Sequence, residues 1–209
     1  MQRERIIFLF LKRFLDKVLS ILLIILLLPA ALIIALLIKL DSRGPVFYTQ
    51  TRAGLYGRPF KIYKFRSMVQ SAEKLGGYYT SSGDRRITKM GKWLRAWSID
   101  EFPQLINILK GDMSFIGPRP TLMHHLDEYT GEQKKRLLMK PGVTGLAQVS
   151  GRNELSWPER IELDIRYINN WSIYLDAKIL VRTFKVILKK EGIYAGKEKF
   201  IINKEKTGR

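Results

Sequence analysis

The chain opens on an aliphatic run. From Val18 to Ile38 only Ser20 and Pro29 interrupt it, about twenty-one positions, enough for a helix to cross a hydrocarbon core of roughly 30 Å. The run is too long for the apolar stretch of a signal peptide and passes Pro29, Ala30 and Ala31 without a cleavage site. It predicts a chain held at a membrane. Pro29 divides it into arms of about ten residues, roughly 15 Å each, and a proline there kinks or breaks a helix. Arg3, Arg5, Lys12, Arg13 and Lys17 precede the run, and Lys39 and Arg43 follow it. A spanning helix carries one basic end, whereas a re-entrant hairpin brings both to the cytoplasmic face. The pattern alone admits either.

Beyond Asp41, Ser42-Arg43-Gly44-Pro45 reads as a turn leaving the membrane. Strand patterns cover Val46–Gln50 and Phe60–Phe65, with a loop at Gly54 to Gly57. Residues 69–83 are rich in Ser, Gly and Tyr and predict a mobile surface segment. Helices are predicted over Ile87–Ala96, from near Pro103 to Gly111, and over Leu122–Met139, Trp157–Asn170 and Asp176–Lys190, with Ile116 to Pro120 rigid and non-helical. The expected fold is α-rich α/β, with an anchor over 1–40 and a compact cap over 41–209. Lys178, Arg182, Lys185 and Lys189 share one face of the last helix, beside Ile179, Val181, Phe184 and Leu188. That pattern suits an anionic membrane surface, or equally a solvated face packed on a core.

Charge narrows the partners. Thirty-seven Lys and Arg against nineteen Asp and Glu leave a formal +18 on 209 residues. Polyanions follow as partners: nucleic acid, acidic headgroups or phosphorylated small molecules. A hydrophobic fraction of 46% excludes a disordered chain, and the lack of cysteine excludes disulfides and thiolate metal sites.

In so basic a chain the adjacent carboxylates Asp100 and Glu101 stand out. Ser98-x-x-Glu101 matches a helix capping box. If Pro103 opens the helix instead, the two acids sit just before its positive end, where phosphate charge is also stabilised. Lys64 and Arg66 share a strand face, and Asp84, Arg85, Arg86, Arg95, Arg119 and Arg152 punctuate the loops. Guanidinium groups grip phosphate in pairs, acidic oxygens suit Mg²⁺, and a carboxylate can serve as a covalent nucleophile. Each arginine alone is as well explained as surface charge. His124-His125 lacks metal-ligand spacing and reads as surface or helix polarity.

The segments Lys12-Arg13-Phe14-Leu15-Asp16, Gly44-Pro45-Val46-Phe47-Tyr48, Tyr63-Lys64-Phe65-Arg66-Ser67-Met68 and Asp84-Arg85-Arg86-Ile87-Thr88 follow in order. After them come Ser98-Ile99-Asp100-Glu101-Phe102-Pro103-Gln104-Leu105, Lys110-Gly111-Asp112-Met113-Ser114-Phe115-Ile116-Gly117-Pro118-Arg119-Pro120 and Pro141-Gly142-Val143-Thr144-Gly145-Leu146-Ala147-Gln148. Gly151-Arg152-Asn153 closes the series. From about Lys12 to Gly192 the chain resembles the bacterial sugar transferases, the monotopic phosphoglycosyl transferases. The resemblance implies a re-entrant helix-break-helix at Pro29, although Leu28 stands where many relatives have Ser. It implies that Asp100 attacks a UDP-sugar, that Glu101 assists with Mg²⁺ or a proton, and that the pair holds the metal. Lys64, Arg66, Arg86, Arg95, Arg119, Gln148 and Arg152 would bind phosphate or nucleotide. The implied partners are a UDP-sugar, polyprenyl (undecaprenyl) phosphate and anionic bilayer lipid at the cytoplasmic face of the bacterial inner membrane, with no nucleic acid. A homo-oligomer is compatible with the sequence. Two rivals differ in kind: a tethered polybasic binding module, for which Asp100 would be dispensable, and a membrane hydrolase, which would need no lipid acceptor.

Overall fold

The computed structural model describes residues 2–76, 80, 81, 83–189 and 202, and only the backbone of residues 2–5. Helix α1 runs from Gln2 to Asp41 and passes through Pro29 without interruption. The break expected at Pro29 is therefore corrected to continuous helix. Proline forfeits one backbone hydrogen bond and strains one turn, and the leucines and alanines on both sides are strong enough helix formers to carry the helix across. One stripe of α1 faces the cap along most of its length. Lys12 pairs with Asp176 at 2.6 Å, Asp16 accepts from Ser114 Oγ at 2.7 Å, and buried Ser20 donates to the Leu105 carbonyl at 2.6 Å. Ala31, Ile34 and Ile38 continue the stripe in a core cluster with Phe65 and Leu94, and Asp41 accepts from Met90 N–H at 3.0 Å. These steps of three and four follow the helical repeat. The remaining faces, with Leu22, Ile25, Leu26, Leu32, Ile33, Leu36 and Leu40, are exposed and apolar, as suits contact with lipid.

Strands β1 (Phe47–Ala53) and β2 (Pro59–Phe65) form an antiparallel hairpin closed by a 3₁₀ turn over Leu55–Gly57. A short helix α2 (Ala72–Gly76) occupies part of the segment expected to be irregular; its positions 77–79 and 82 lie outside the described residues. Helix α3 (Lys89–Ala96) is capped by the Thr88 hydroxyl. After a 3₁₀ turn over Ile99–Glu101, helix α4 (Gln104–Lys110) starts at Pro103 and stops at Gly111. Asn107 on α4 is wholly buried and bonds both the Tyr63 N–H and the Lys61 carbonyl, tying α4 to β2.

Strand β3 (Ser114–Ile116) leads to β4 (Thr121–Leu122), which pairs with β1. The helix expected over Leu122–Met139 is corrected. Only α5 (His125–Glu128) and a 3₁₀ stretch over Gln133–Leu138 form there. Tyr129 turns to an extended conformation, its hydroxyl engaged by Thr121 and Arg136, and these bonds, with the long-range pair of Arg136 and Asp164, outweigh the local periodicity. Strand β5 (Gly142–Thr144) pairs in parallel with β3, and α6 (Leu146–Val149) follows. Helix α7 (Trp157–Asn169) begins with a capping box between Ser156 and Glu159. Helix α8 (Ile173–Lys189) packs Ile179 inward and exposes Leu180, Val181, Phe184 and Leu188 among its lysines and arginine. Lys190 to Gly192, where the last expected helix and the resemblance end, lie outside the described residues.

Candidate active site

The 3₁₀ turn before α4 delivers Asp100 and Glu101. Ser98 does not cap it. It sits in the left-handed region at φ 56° with no capping bond, a costly conformation for a residue with a side chain, and its hydroxyl accepts from Arg152 at 3.1 Å. Pro103 opens the helix, and the capping-box alternative falls.

The neighbouring acids differ sharply. Glu101 Oε1 takes Lys64 Nζ at 2.6 Å and an Arg119 guanidinium nitrogen at 3.0 Å. Burial pushes its pKa up, but Arg119 and Lys64 more than reverse this and hold it far below the usual carboxylate range. Asp100 is 8% exposed and accepts no hydrogen bond among the described residues. Burial raises its pKa, Lys64 opposes the rise, and the charge of Glu101 adds to it. One acid is thus locked as an ion and its neighbour is left open.

Arg119 reaches Glu101 because of tight backbone packing behind it. At Gly117 a Cβ would lie 2.3 Å from the Lys140 carbonyl, so only glycine allows the β3 exit to cross beside β5. Gly117 N–H bonds the Thr144 carbonyl and Gly142 N–H that of Pro118, each at 2.9 Å. From behind, Arg136 donates to the Arg119 carbonyl at 3.1 Å while paired with fully buried Asp164 at 2.5 Å.

Above the dyad lies a cavity of about 230 Å³ whose described lining holds Arg52, Lys64, Arg95, Arg119, Arg152 and Arg160 against Asp100 and Glu101. Six cations face two anions, so the cavity needs a further anion. Burial, then repulsion from Arg119, pushes Arg52 and Arg160 down to about 10, which still leaves both charged near neutrality. Burial likewise lowers Lys64, against the pull of Glu101. Arg95 is steered by a 2.9 Å bond to Ser67 Oγ. A second cavity of about 410 Å³ reaches Asp100 from the β1–β2 side.

Two expected phosphate binders are committed at least in part to protein contacts, although Arg66 also lines the second cavity, where its Nε and Nη1 have no partner among the described residues. Arg66 donates to the Ile38 and Ser42 carbonyls at 3.1 and 2.6 Å, satisfying the open end of α1 and fastening the anchor to the cap. Arg86 forms a multidentate pair with Asp84, at 2.7 Å for the closest contact, and donates to the Ala72 carbonyl. It does not line the cavity above the dyad. Gln148 does not line that cavity; it lies beside Arg119 and Arg152 in the wall of an apolar one and of a small pocket next to Arg136 and Asp164.

Periodicity and motif spacing missed Arg52, Arg136, Arg160 and Asp164, which lie on a strand and two helical stretches and look like ordinary amphipathic charges. His125, expected to be surface polarity, is buried instead. Its Nδ1 lies 2.9 Å from Thr121 Oγ1, and its ring meets Trp157 at the cavity wall. One of its ring nitrogens, one of His124 and a Glu128 oxygen lie within 4.8 Å of one another. The Mg²⁺ implied by the resemblance needs hard oxygen ligands. The open carboxylate of Asp100 and Oε2 of Glu101 fit, since both ion pairs of Glu101 fall on Oε1.

A bilayer-length apolar helix, a locked and an open carboxylate, and an excess of cations above them suit a membrane-associated protein with an anionic ligand. The family model described as bacterial sugar transferase matches residues 7–190, and the chain belongs to that family. It is 44% identical to an uncharacterized sugar transferase, EpsL, of Bacillus subtilis, over 88% of this chain and 90% of that one. It is 45% identical to a UDP-glucose:undecaprenyl-phosphate glucose-1-phosphate transferase of Caulobacter vibrioides, over 88% and 72%. An undecaprenyl-phosphate galactose phosphotransferase of Salmonella typhimurium is 38% identical over 88% of this chain, which spans 42% of that relative's length.

Proposed function

We propose that the protein transfers a sugar-1-phosphate from a UDP-sugar to polyprenyl phosphate at the cytoplasmic face of the bacterial inner membrane, with Asp100 as the covalent nucleophile. The observation that carries this reading is the asymmetry of the dyad: Glu101 is neutralised by Lys64 and Arg119, while Asp100 stays open at the base of a cavity with excess positive charge. An oxygen of the Asp100 carboxylate attacks the β-phosphorus, the bond to the bridging oxygen breaks, and UMP leaves with that oxygen and its electron pair. An acyl phosphosugar remains on Asp100. A phosphate oxygen of the polyprenyl phosphate then attacks the same phosphorus, the Asp100 carboxylate leaves, and a lipid diphosphosugar results. Arg119, Arg152 and Arg160 hold the phosphoryl oxygens as charge builds on them. Mg²⁺, held by Asp100 and Oε2 of Glu101, would neutralise diphosphate charge. The relatives named for glucose and galactose transfer support the substrate class and leave the sugar to be found.

The packing of α1 supports a seat in one leaflet. The cap holds this helix at Lys12 and again at Asp41, about 45 Å apart along a straight helix. A spanning helix would part those ends across the bilayer and could not keep both on a water-facing cap. The exposed apolar and basic residues of α8 suit the same surface.

UMP release from a panel of UDP-sugars with Mg²⁺, with and without undecaprenyl phosphate, tests the reading. Lipid-dependent turnover with one donor, and a mass increase of one phosphosugar on Asp100 when lipid is withheld, are expected. Equal turnover without lipid would make the protein a hydrolase. Full activity in Asp100→Asn would remove the nucleophile assignment.

A further inference from the structure

A cavity of about 210 Å³ lies on the Glu101 side of the dyad, between α1 and α8. Leu23 and Leu27 of the apolar run form one wall, Val186 and Ile187 of α8 the other, and Phe102 and Phe115 line it between them. Its inner end is polar, where Glu101, Arg119, Arg152 and Gln148 line it. A 2.7 Å bond between Thr144 and Thr183 fixes α8 beside β5. Gln148 is nine-tenths buried, yet neither its Nε2 nor its Oε1 finds a hydrogen-bond partner. Buried amides are rarely left so, and an orphaned donor at the inner end of an apolar hollow points to a ligand that brings its own acceptor.

We propose, resting on the transferase reading above, that this groove receives the phosphate-proximal isoprenoid segment of the acceptor and places its phosphate against Gln148, Arg119 and Arg152. The chemistry selects this occupant. A UDP-sugar offers nothing apolar to the walls, whereas a prenyl phosphate matches the groove at both ends. The volume holds a short stretch of hydrocarbon, and the rest of the chain leaves past Leu23 and Leu27 toward the exposed apolar face of α1 at Leu22, Ile25 and Leu26. The two substrates then reach the dyad from different sides, the donor through the cation-lined cavity and the acceptor from the membrane. A double displacement on one nucleophile is compatible with such an arrangement, in which the lipid can bind beside Asp100 before UMP has departed.

Val186→Trp fills the groove without touching the cation-lined cavity. In nanodiscs its KM for undecaprenyl phosphate should rise tenfold or more, while the lipid-independent burst of UMP that reports phosphosugar formation on Asp100 stays within twofold of wild type. Val181→Trp, on the exposed face of the same helix, should leave both unchanged. On the wild-type protein, a prenyl phosphate carrying a diazirine on its first isoprene unit should label peptides containing Leu23, Leu27, Val186 or Ile187. Labelling confined to other segments, an unchanged acceptor KM in Val186→Trp, or loss of label to excess phosphatidylglycerol would each overturn the assignment. Absence of any UMP burst in wild type would bring down the transferase reading, and the groove assignment with it, and so is told apart from failure of the groove alone.

Discussion

The cation-lined cavity and the apolar groove share Ser98, Glu101, Arg119 and Arg152 but little else. The first is walled by cations from two strands and two helices, Arg52 on β1, Lys64 on β2, Arg95 on α3 and Arg160 on α7. The second is walled by helices α1 and α8, whose aliphatic faces the sequence pattern alone could suggest. One is built to hold charge away from water, where each cation counts for more, and the other to hold hydrocarbon. Between them sit two carboxylates adjacent in the chain and opposite in environment. On the proposed reading that contrast gives two like acids different roles: Glu101 is fixed as an ion by its pairing, and Asp100 is left as the carboxylate of the dyad open to react.

The contrast can be broken most severely at the dyad. Asp100→Asn should lower kcat by roughly three orders of magnitude or more in both half-reactions, read as UMP release and as lipid product. Arg119→Met removes a residue common to both cavities and frees Glu101 from one partner. A loss of about 10²–10³ in kcat/KM for donor and acceptor alike is expected, and an effect on only one substrate would show that the cavities are not joined there. Arg160→Met alters the cation-lined cavity and not the apolar groove. It should raise the donor KM by about tenfold and leave the acceptor KM unchanged.

The smallest effect is on pH dependence. Asp100 must be ionised to attack, and burial has raised its pKa, so the acid limb of kcat/KM should lie above the ordinary aspartate value of about 3.9. Lys64 is the largest influence holding it down. Lys64→Met should therefore move that limb to higher pH, and a limb that stays or falls would mean another group controls it.

Much of the organisation was legible in sequence. The apolar run, the strand pair, α3, α4, α7 and the dyad before Pro103 all follow local rules of periodicity, capping and proline geometry. Two helical expectations failed for opposite reasons. Pro29 did not interrupt α1 because its neighbours carry the helix, while Leu122–Met139 broke because Tyr129 and Arg136 are spent on tertiary bonds. Lys64 and Arg66 are expected on one strand face, yet β2 ends at Phe65, and Arg66 closes the anchor helix while Lys64 reaches Glu101. Nothing in their spacing separates them.

By itself the sequence determined that the chain carries an apolar run of bilayer length and great excess positive charge, and that Asp100 and Glu101 stand together before a helix. These follow from composition and from interactions a few residues long. The tertiary structure alone decided which carboxylate is paired and which is open, which arginines face the dyad, and where an apolar groove meets it. Those outcomes depend on burial and on partners such as Lys64 and Glu101, 37 positions apart in the chain. Desolvation and ion pairing act through space, and residue order along the chain does not encode them locally.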